Sequence, residues 1–123
     1  MPANSVRKFG DVNVKNKVSI FRDYGWCSVV IADAATDSTT LDIGPADSIM
    51  LILPSSVNSK TMKIQTTYDG STWTDLVSWT AATGVKVFTD AAELAKVRHA
   101  QIVRFTVNSA VSGDSTIWIS VKG

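Results

Sequence analysis

One cysteine, one histidine and three prolines among 123 residues leave several chemistries without material. A single cysteine, Cys27, excludes any intramolecular disulfide, so the fold must rest on its apolar core. In Trp26-Cys27-Ser28-Val29-Val30-Ile31, alternation puts Cys27, Val29 and Ile31 on one strand face, so a buried structural thiol is expected. A lone His99, beside Arg98 at the edge of a strand candidate, has no Cys or carboxylate partners at metal-ligand spacing. It reads as structural or exposed. No Ser/His/Asp constellation is recoverable either, because no nucleophile elbow surrounds any serine. The glycines stand singly at turns, so there is no phosphate cradle.

Long apolar runs are missing too. The longest is residues 49–53 (Ile-Met-Leu-Ile-Leu), far too short to span a bilayer. The first twenty residues contain no apolar core of a secretory signal, so assembly in a reducing cytoplasm is expected. A net charge of +1 provides no global field toward nucleic acid or membrane. The expectation is a non-enzymatic protein without cofactor, metal, direct nucleic-acid contact or membrane contact.

What is present is a succession of short strands. Asp69-Gly70 is a strong hairpin signal, since the favoured two-residue turn needs positive φ at both central positions. Strand-like runs flank it, from Lys60 to Thr67 and from Trp73 to Trp79. A two-residue loop would pair Trp73 with Thr66 and face Asp75 with Ile64. A three-residue Asp-Gly-Ser loop would pair Ile64 with Leu76, and the sequence leaves both registers open. Trp73 and Trp79 share a parity, which predicts one bulky face on that strand. Asp69 and Asp75 could in principle form a glycosidase pair. Asp69 is accounted for by its turn, however, and Asp75 by a solvent-facing strand position.

Strand candidates fall at 17–22, 26–32, 39–43, 48–53, 60–68, 72–79, 85–89, 100–107 and 115–122, with turn clusters between them. Such spacing predicts a β-sandwich or barrel rather than alternating βαβ units. Residues 49–53 are apolar at both parities, which predicts a central strand buried on both faces and ended by Pro54. One segment departs from the pattern. Asp90-Ala91-Ala92-Glu93-Leu94-Ala95-Lys96 has an acidic N-cap with Glu three residues on, predicting one or two helical turns between strands.

Charge is unevenly placed. Residues 1–22 hold Arg7, Lys8, Lys15, Lys17 and Arg22 against Asp11 alone, whereas 23–59 hold five aspartates and no basic residue. Residues 1–16 read as an extended N-terminal arm with Phe9 as an apolar peg, and 17–123 as a single sandwich domain. The other reading of the arm is a frayed terminus or an edge strand. In residues 116–121, Ile117, Ile119 and Val121 point inward and Trp118 outward. In residues 101–107, Val103, Phe105 and Val107 point inward and Arg104 outward. An outward Trp beside an Arg has the composition of a binding hot spot. The other reading is a second, partly buried face.

The segment Tyr68-Asp69-Gly70-Ser71-Thr72-Trp73-Thr74 and the closing stretch 91–123 resemble small virion structural proteins of tailed bacteriophages. The resemblance is to capsid cement or decoration proteins in particular. It implies an all-β, jelly-roll-like antiparallel β-sandwich with a short helical crossover. It also implies a homo-oligomer, dimer or trimer, seated on the major capsid protein, located in the virion and bringing no catalytic residues. An extended arm would clamp adjacent capsid subunits. The expected partner-contacting residues are then Arg7, Lys8, Phe9, Lys15, Arg104 and Trp118. A tail or tail-fibre module would use the same sandwich. A carbohydrate-binding sandwich, with glycan on Trp118, Trp73 and Trp79, is the alternative from a different class.

Overall fold

The computed structural model describes residues 25–43 and 48–122. The strand candidate 17–22 and the arm with Arg7, Lys8, Phe9 and Lys15 lie outside the described residues. Among the described residues, eight strands and one helix follow in order: β1 (Trp26–Ile31), β2 (Leu41–Asp42), β3 (Ser48–Leu53), β4 (Thr61–Thr67), β5 (Trp73–Thr80), β6 (Gly84–Val87), α1 (Ala91–His99), β7 (Ile102–Val107) and β8 (Ser115–Lys122). A single 3-10 turn, Ser55–Val57, follows Pro54, which ends β3 as expected.

The strands form two antiparallel four-stranded sheets, ordered β1-β8-β3-β6 and β2-β7-β4-β5. Of the connections between these strands, only the β4–β5 hairpin stays within one sheet; every other crosses to the second sheet. That is the strand order of a jelly roll, in which two sheets bury their inner faces against each other. The all-β sandwich expected from strand spacing is the fold observed.

Alternation explains which side chains fill the space between the sheets. On β1, Cys27, Val29 and Ile31 are buried; on β7, Val103, Phe105 and Val107; on β8, Ile117 and Ile119, with Val121 packed against the cluster. Burial pushes the Cys27 thiol pKa up to about 11, which leaves little thiolate at neutral pH. The β1–β2 connection turns the corner between sheets. Ser38 bridges to Ile31 and Asp37 to Thr106. The buried Ser38 donates its N–H to the Phe105 carbonyl at 2.8 Å and its Oγ accepts from the Phe105 N–H at 2.9 Å. This corner takes most of the expected strand 39–43, leaving β2 only two residues long.

The helical crossover is present and longer than expected. The Asp90 carboxylate accepts from the N–H groups of Ala92 (2.8 Å) and Glu93 (3.1 Å), two donors with no partner inside the helix. The helix runs nine residues, and His99 is therefore its last residue rather than the edge of a strand.

β3 is central, between β8 and β6, but it is not buried on both faces. Ile49, Leu51 and Leu53 are buried, while Met50 is half-buried and Ile52 exposed. In a two-layer sandwich each sheet has one inner face, so the other set of apolar side chains must look outward.

The hairpin resolves the open register in two halves. Thr67 pairs with Trp73, Thr66 with Thr74 and Gln65 with Asp75, the register of the three-residue loop. A β-bulge at Leu76 then shifts the ladder, so that Ile64 pairs with Val77 and Met62 with Trp79. Only Gly70 has positive φ at the tip (+85°), so the two-residue turn with both residues left-handed is not formed.

Candidate functional site

The two outer faces of the sandwich differ in chemistry. On the β2-β7-β4-β5 sheet most outward side chains are polar, and several are linked, with Ile102 and Trp73 as apolar members. Lys63 Nζ donates to Asp75 at 3.0 Å, and Gln65 Nε2 donates to the other Asp75 oxygen at 2.8 Å. Arg104 Nε donates to Gln65 Oε1 at 2.9 Å, and its guanidinium lies 3.4 Å from Asp37. Thr106 Oγ1 also donates to Asp37, at 2.6 Å. The Gln65 and Lys63 contacts hold the Asp75 carboxyl below the usual carboxylate range. Trp73 lies on this face, with the Arg104 guanidinium 4.3 Å from its ring centroid. Arg104 thus has its charge and its planar face already engaged by neighbours in the same sheet.

The β1-β8-β3-β6 sheet presents the opposite character. Cross-strand pairing places Ser28, Trp118, Ile52 and Val85 in one row across four strands. The next row is Trp26, Ser120, Met50 and Val87. Val30 and Thr116 extend the face at one end, Ser48 and Lys122 at the other. Large apolar side chains remain open to solvent here: Trp118 at 38%, Ile52 at 39%, Val87 at 49% and Val85 at 67%. Scattered exposed hydrophobes are ordinary, but contiguous rows of them mark interaction surfaces. β6 is an edge strand of this sheet, and its Lys86 turns inward over the rings of Phe88 (5.0 Å) and Trp79 (5.7 Å). An inward lysine on an edge strand opposes indiscriminate strand addition there.

This geometry rearranges the residues singled out from the sequence. Trp118 is outward as expected, but Arg104 is not beside it. β7 and β8 belong to different sheets, so the two side chains occupy opposite faces of the sandwich. Trp73 and Trp79 do not share a face, because the Leu76 bulge inverts the alternation between them. Trp73 faces outward with Asp75, whereas Trp79 turns inward and meets Phe88 edge to face at 5.2 Å. Trp118, Trp73 and Trp79 therefore form no common stacking platform. The sequence reading missed Met50, Ile52, Val85 and Val87 as members of an outer face. The apolar run 49–53 carried that signal, but only its pairing with β6 and β8 shows which members look outward.

At the hairpin tip, Asp69 accepts from the N–H groups of Thr72 (2.7 Å) and Ser71 (2.8 Å), and from Thr72 Oγ1 at 3.0 Å. These bonds, led by the Thr72 and Ser71 amides, hold its carboxyl down to about 2. A pKa depressed below the unfolded value of about 3.9 means that the tip is stabilised above that pH. The stabilisation is lost as pH falls from about 4 through 2. The Ser71 and Thr72 amide resonances are expected to titrate with a midpoint about 2, and Asp69→Ala to abolish that titration. A midpoint near 4 would show that these bonds do not hold in solution.

An open groove of about 460 Å³ between the hairpin and α1 is lined by Tyr68, Leu76, Lys96, His99 and Gln101, among others. Among the described residues no group of three or more His, Cys, Asp or Glu side chains is placed to hold a metal ion. No helix among them is long and apolar enough to cross a membrane.

No protein-family model matches this chain. No curated protein matches it either. Among solved structures, the crystal structure of SPBc2 prophage-derived protein YomS aligns with a TM-score of 0.50 at 18% identity, covering 79% of this chain and 93% of that one. A structure reported as "CBM4 structure and function" aligns with a TM-score of 0.32 at 16% identity, covering 82% of this chain and 70% of that one. At 18% identity, the first likeness is one of fold: a two-sheet β-sandwich spanning nearly the whole of the prophage-derived protein.

Proposed function

We propose that this chain is a structural protein of a tailed-phage virion, a capsid cement protein that seats on the major capsid protein and bridges its subunits. The observation that carries this reading is the two-faced sandwich. One outer face is apolar and centred on Trp118 and Ile52, and the other is polar and braced by Arg104, Gln65, Asp75 and Asp37. A module of this kind is suited to lie with one side against a protein surface and the other in water. The fold shared with a prophage-derived protein supports a phage origin.

The physical role follows from repetition. Each copy adds a modest contact across a seam between shell subunits, and many copies on a symmetric shell multiply the resistance to separation. Trp118 is the central anchor of the docking face, and the basic residues Arg7, Lys8 and Lys15 with Phe9 add contacts from the N-terminal arm. Arg104 serves the opposite face, as the brace of Trp73.

Antibody raised against the purified chain, used on density-gradient fractions of phage-producing cultures, tests the reading directly. The signal is expected to comigrate with DNA-filled particles, and labelled particles to carry it on the head. A signal confined to soluble protein would overturn the virion role, and label on the tail would overturn the cement role.

A further inference from the structure

The open groove between the β4–β5 hairpin and α1 shares no lining residue with the apolar outer face. Its floor is apolar, formed by the half-buried Leu76 and the buried Ala100. Leu76 is the extra residue of the β5 bulge, and a bulge re-aims a side chain that a regular ladder would place elsewhere.

The polar side chains around that floor divide into two groups. Thr66 Oγ1 donates to the Ile102 carbonyl at 2.8 Å, Thr67 Oγ1 accepts from the Gly70 N–H at 2.8 Å, and Gln101 Nε2 donates to Asp42 at 3.3 Å. Those three are engaged. Tyr68, Lys96 and His99 are exposed and have no hydrogen bond or ion pair with any described residue. On the polar outer face, by contrast, Lys63 and Arg104 each have a carboxylate partner. Lys96 and His99 stand three residues apart on α1, which makes them neighbours on one side of the helix. All three open groups can donate a hydrogen bond, and the Lys96 ammonium can do nothing else.

The charge of the groove points the same way. None of its lining residues is acidic. Asp42 and Asp69 adjoin lining residues, but Asp42 is taken by Gln101 and Asp69 by the amides of Ser71 and Thr72. The C-terminal end of α1 adds a negative partial charge of about one half, which the full charge of Lys96 exceeds. A groove of about 460 Å³ has the volume of a site for a small ligand or a few peptide residues. A bare anion would leave Leu76 and the Tyr68 ring, 82% exposed, uncovered. A purely apolar ligand would leave the donors unmatched. A nucleic-acid backbone calls for several cations in a track, and this groove has one lysine.

We infer that this groove binds a short peptide segment of a protein partner in which an acidic residue adjoins an aliphatic one. The aliphatic side chain rests on Leu76 and Ala100 against the Tyr68 ring, and Lys96 and His99 hold the carboxylate. The site concerns neither the apolar outer face nor the virion role, so it stands or falls apart from them.

Amide chemical-shift mapping on the full-length chain tests it. The probes are a terminally blocked peptide of alternating glutamate and leucine, its glutamine counterpart, and a short oligothymidylate. The glutamate peptide is expected to move the Leu76, Lys96, His99 and Ala100 resonances saturably, with a Kd of about 1 mM or tighter. The glutamine peptide should bind about tenfold more weakly, because charge-assisted hydrogen bonds are the stronger ones. Lys96→Gln combined with His99→Gln should weaken the glutamate peptide about tenfold as well, and Lys96→Arg alone should retain binding because it keeps the charge. These positions are exposed, so the melting temperature should move by only a few degrees. Equal affinity for the two peptides, or no loss in the double variant, would overturn the inference. So would shifts centred on Trp118 and Ile52, which assign the peptide to the outer face. Tighter binding of the oligothymidylate would overturn it too, by assigning the groove to a phosphate backbone.

Discussion

Phe105→Ala is expected to lower the melting temperature by roughly 10–20 °C, far more than truncation of any outward-facing side chain. Phe105 is fully buried at the middle of β7, beside Ile64 on β4, and its backbone N–H and C=O both bond to Ser38. The side chain thus fills the sandwich at the point where the corner between sheets is fastened. Removing a buried phenyl ring costs about 3–5 kcal/mol, because the surroundings collapse only partly into the space. Total stability of a domain this size is about 5–15 kcal/mol, so the variant is expected to be marginal at physiological temperature. Thermal unfolding followed by far-ultraviolet circular dichroism measures this, with Phe105→Leu as a milder control. A fall of only a few degrees would mean that the two sheets are not packed through Phe105.

Trp118→Ala is expected to do the opposite. Its site is the outer face of β8, flanked across the strands by Ser28 and Ile52, and no inner-face packing depends on it. The melting temperature should move by only a few degrees. Affinity for the protein partner, by contrast, should fall about 30-fold or more, since truncating a central aromatic anchor costs about 2 kcal/mol or more. Retention of the purified variant on particles that lack the native protein, compared with the native chain, reads this out. Unchanged retention would remove Trp118 from the docking face, and a large fall in melting temperature would make it part of the core.

Much of this architecture could be read locally. Alternation in residues 101–107 and 116–121 assigned the inward residues of β7 and β8 correctly, because every second side chain of a strand must face the same way. Asp90 with Glu93 marked the start of α1, because the first amides of a helix need an acceptor. Asp69-Gly70 marked the hairpin. Other assignments failed where the deciding contact lay far along the chain. Trp73 and Trp79 are separated by a bulge at Leu76, and nothing in the local pattern announces an extra residue in the ladder. Trp118 and Arg104 stand on neighbouring strands in sequence but on different sheets in space.

The sequence by itself determined the all-β class, most of the strand positions, the inward sets of β1, β7 and β8 and the absence of disulfide support, since these follow from spacing and composition alone. Only the tertiary structure decided that β8 runs between β1 and β3, and that β6 flanks β3 on its other side. Those pairings collect Trp118, Ile52, Met50, Val85 and Val87 on one surface and place Arg104 on the other. The physical reason is that strand alternation is a property of each segment, whereas the choice of neighbour depends on long-range burial among all of them.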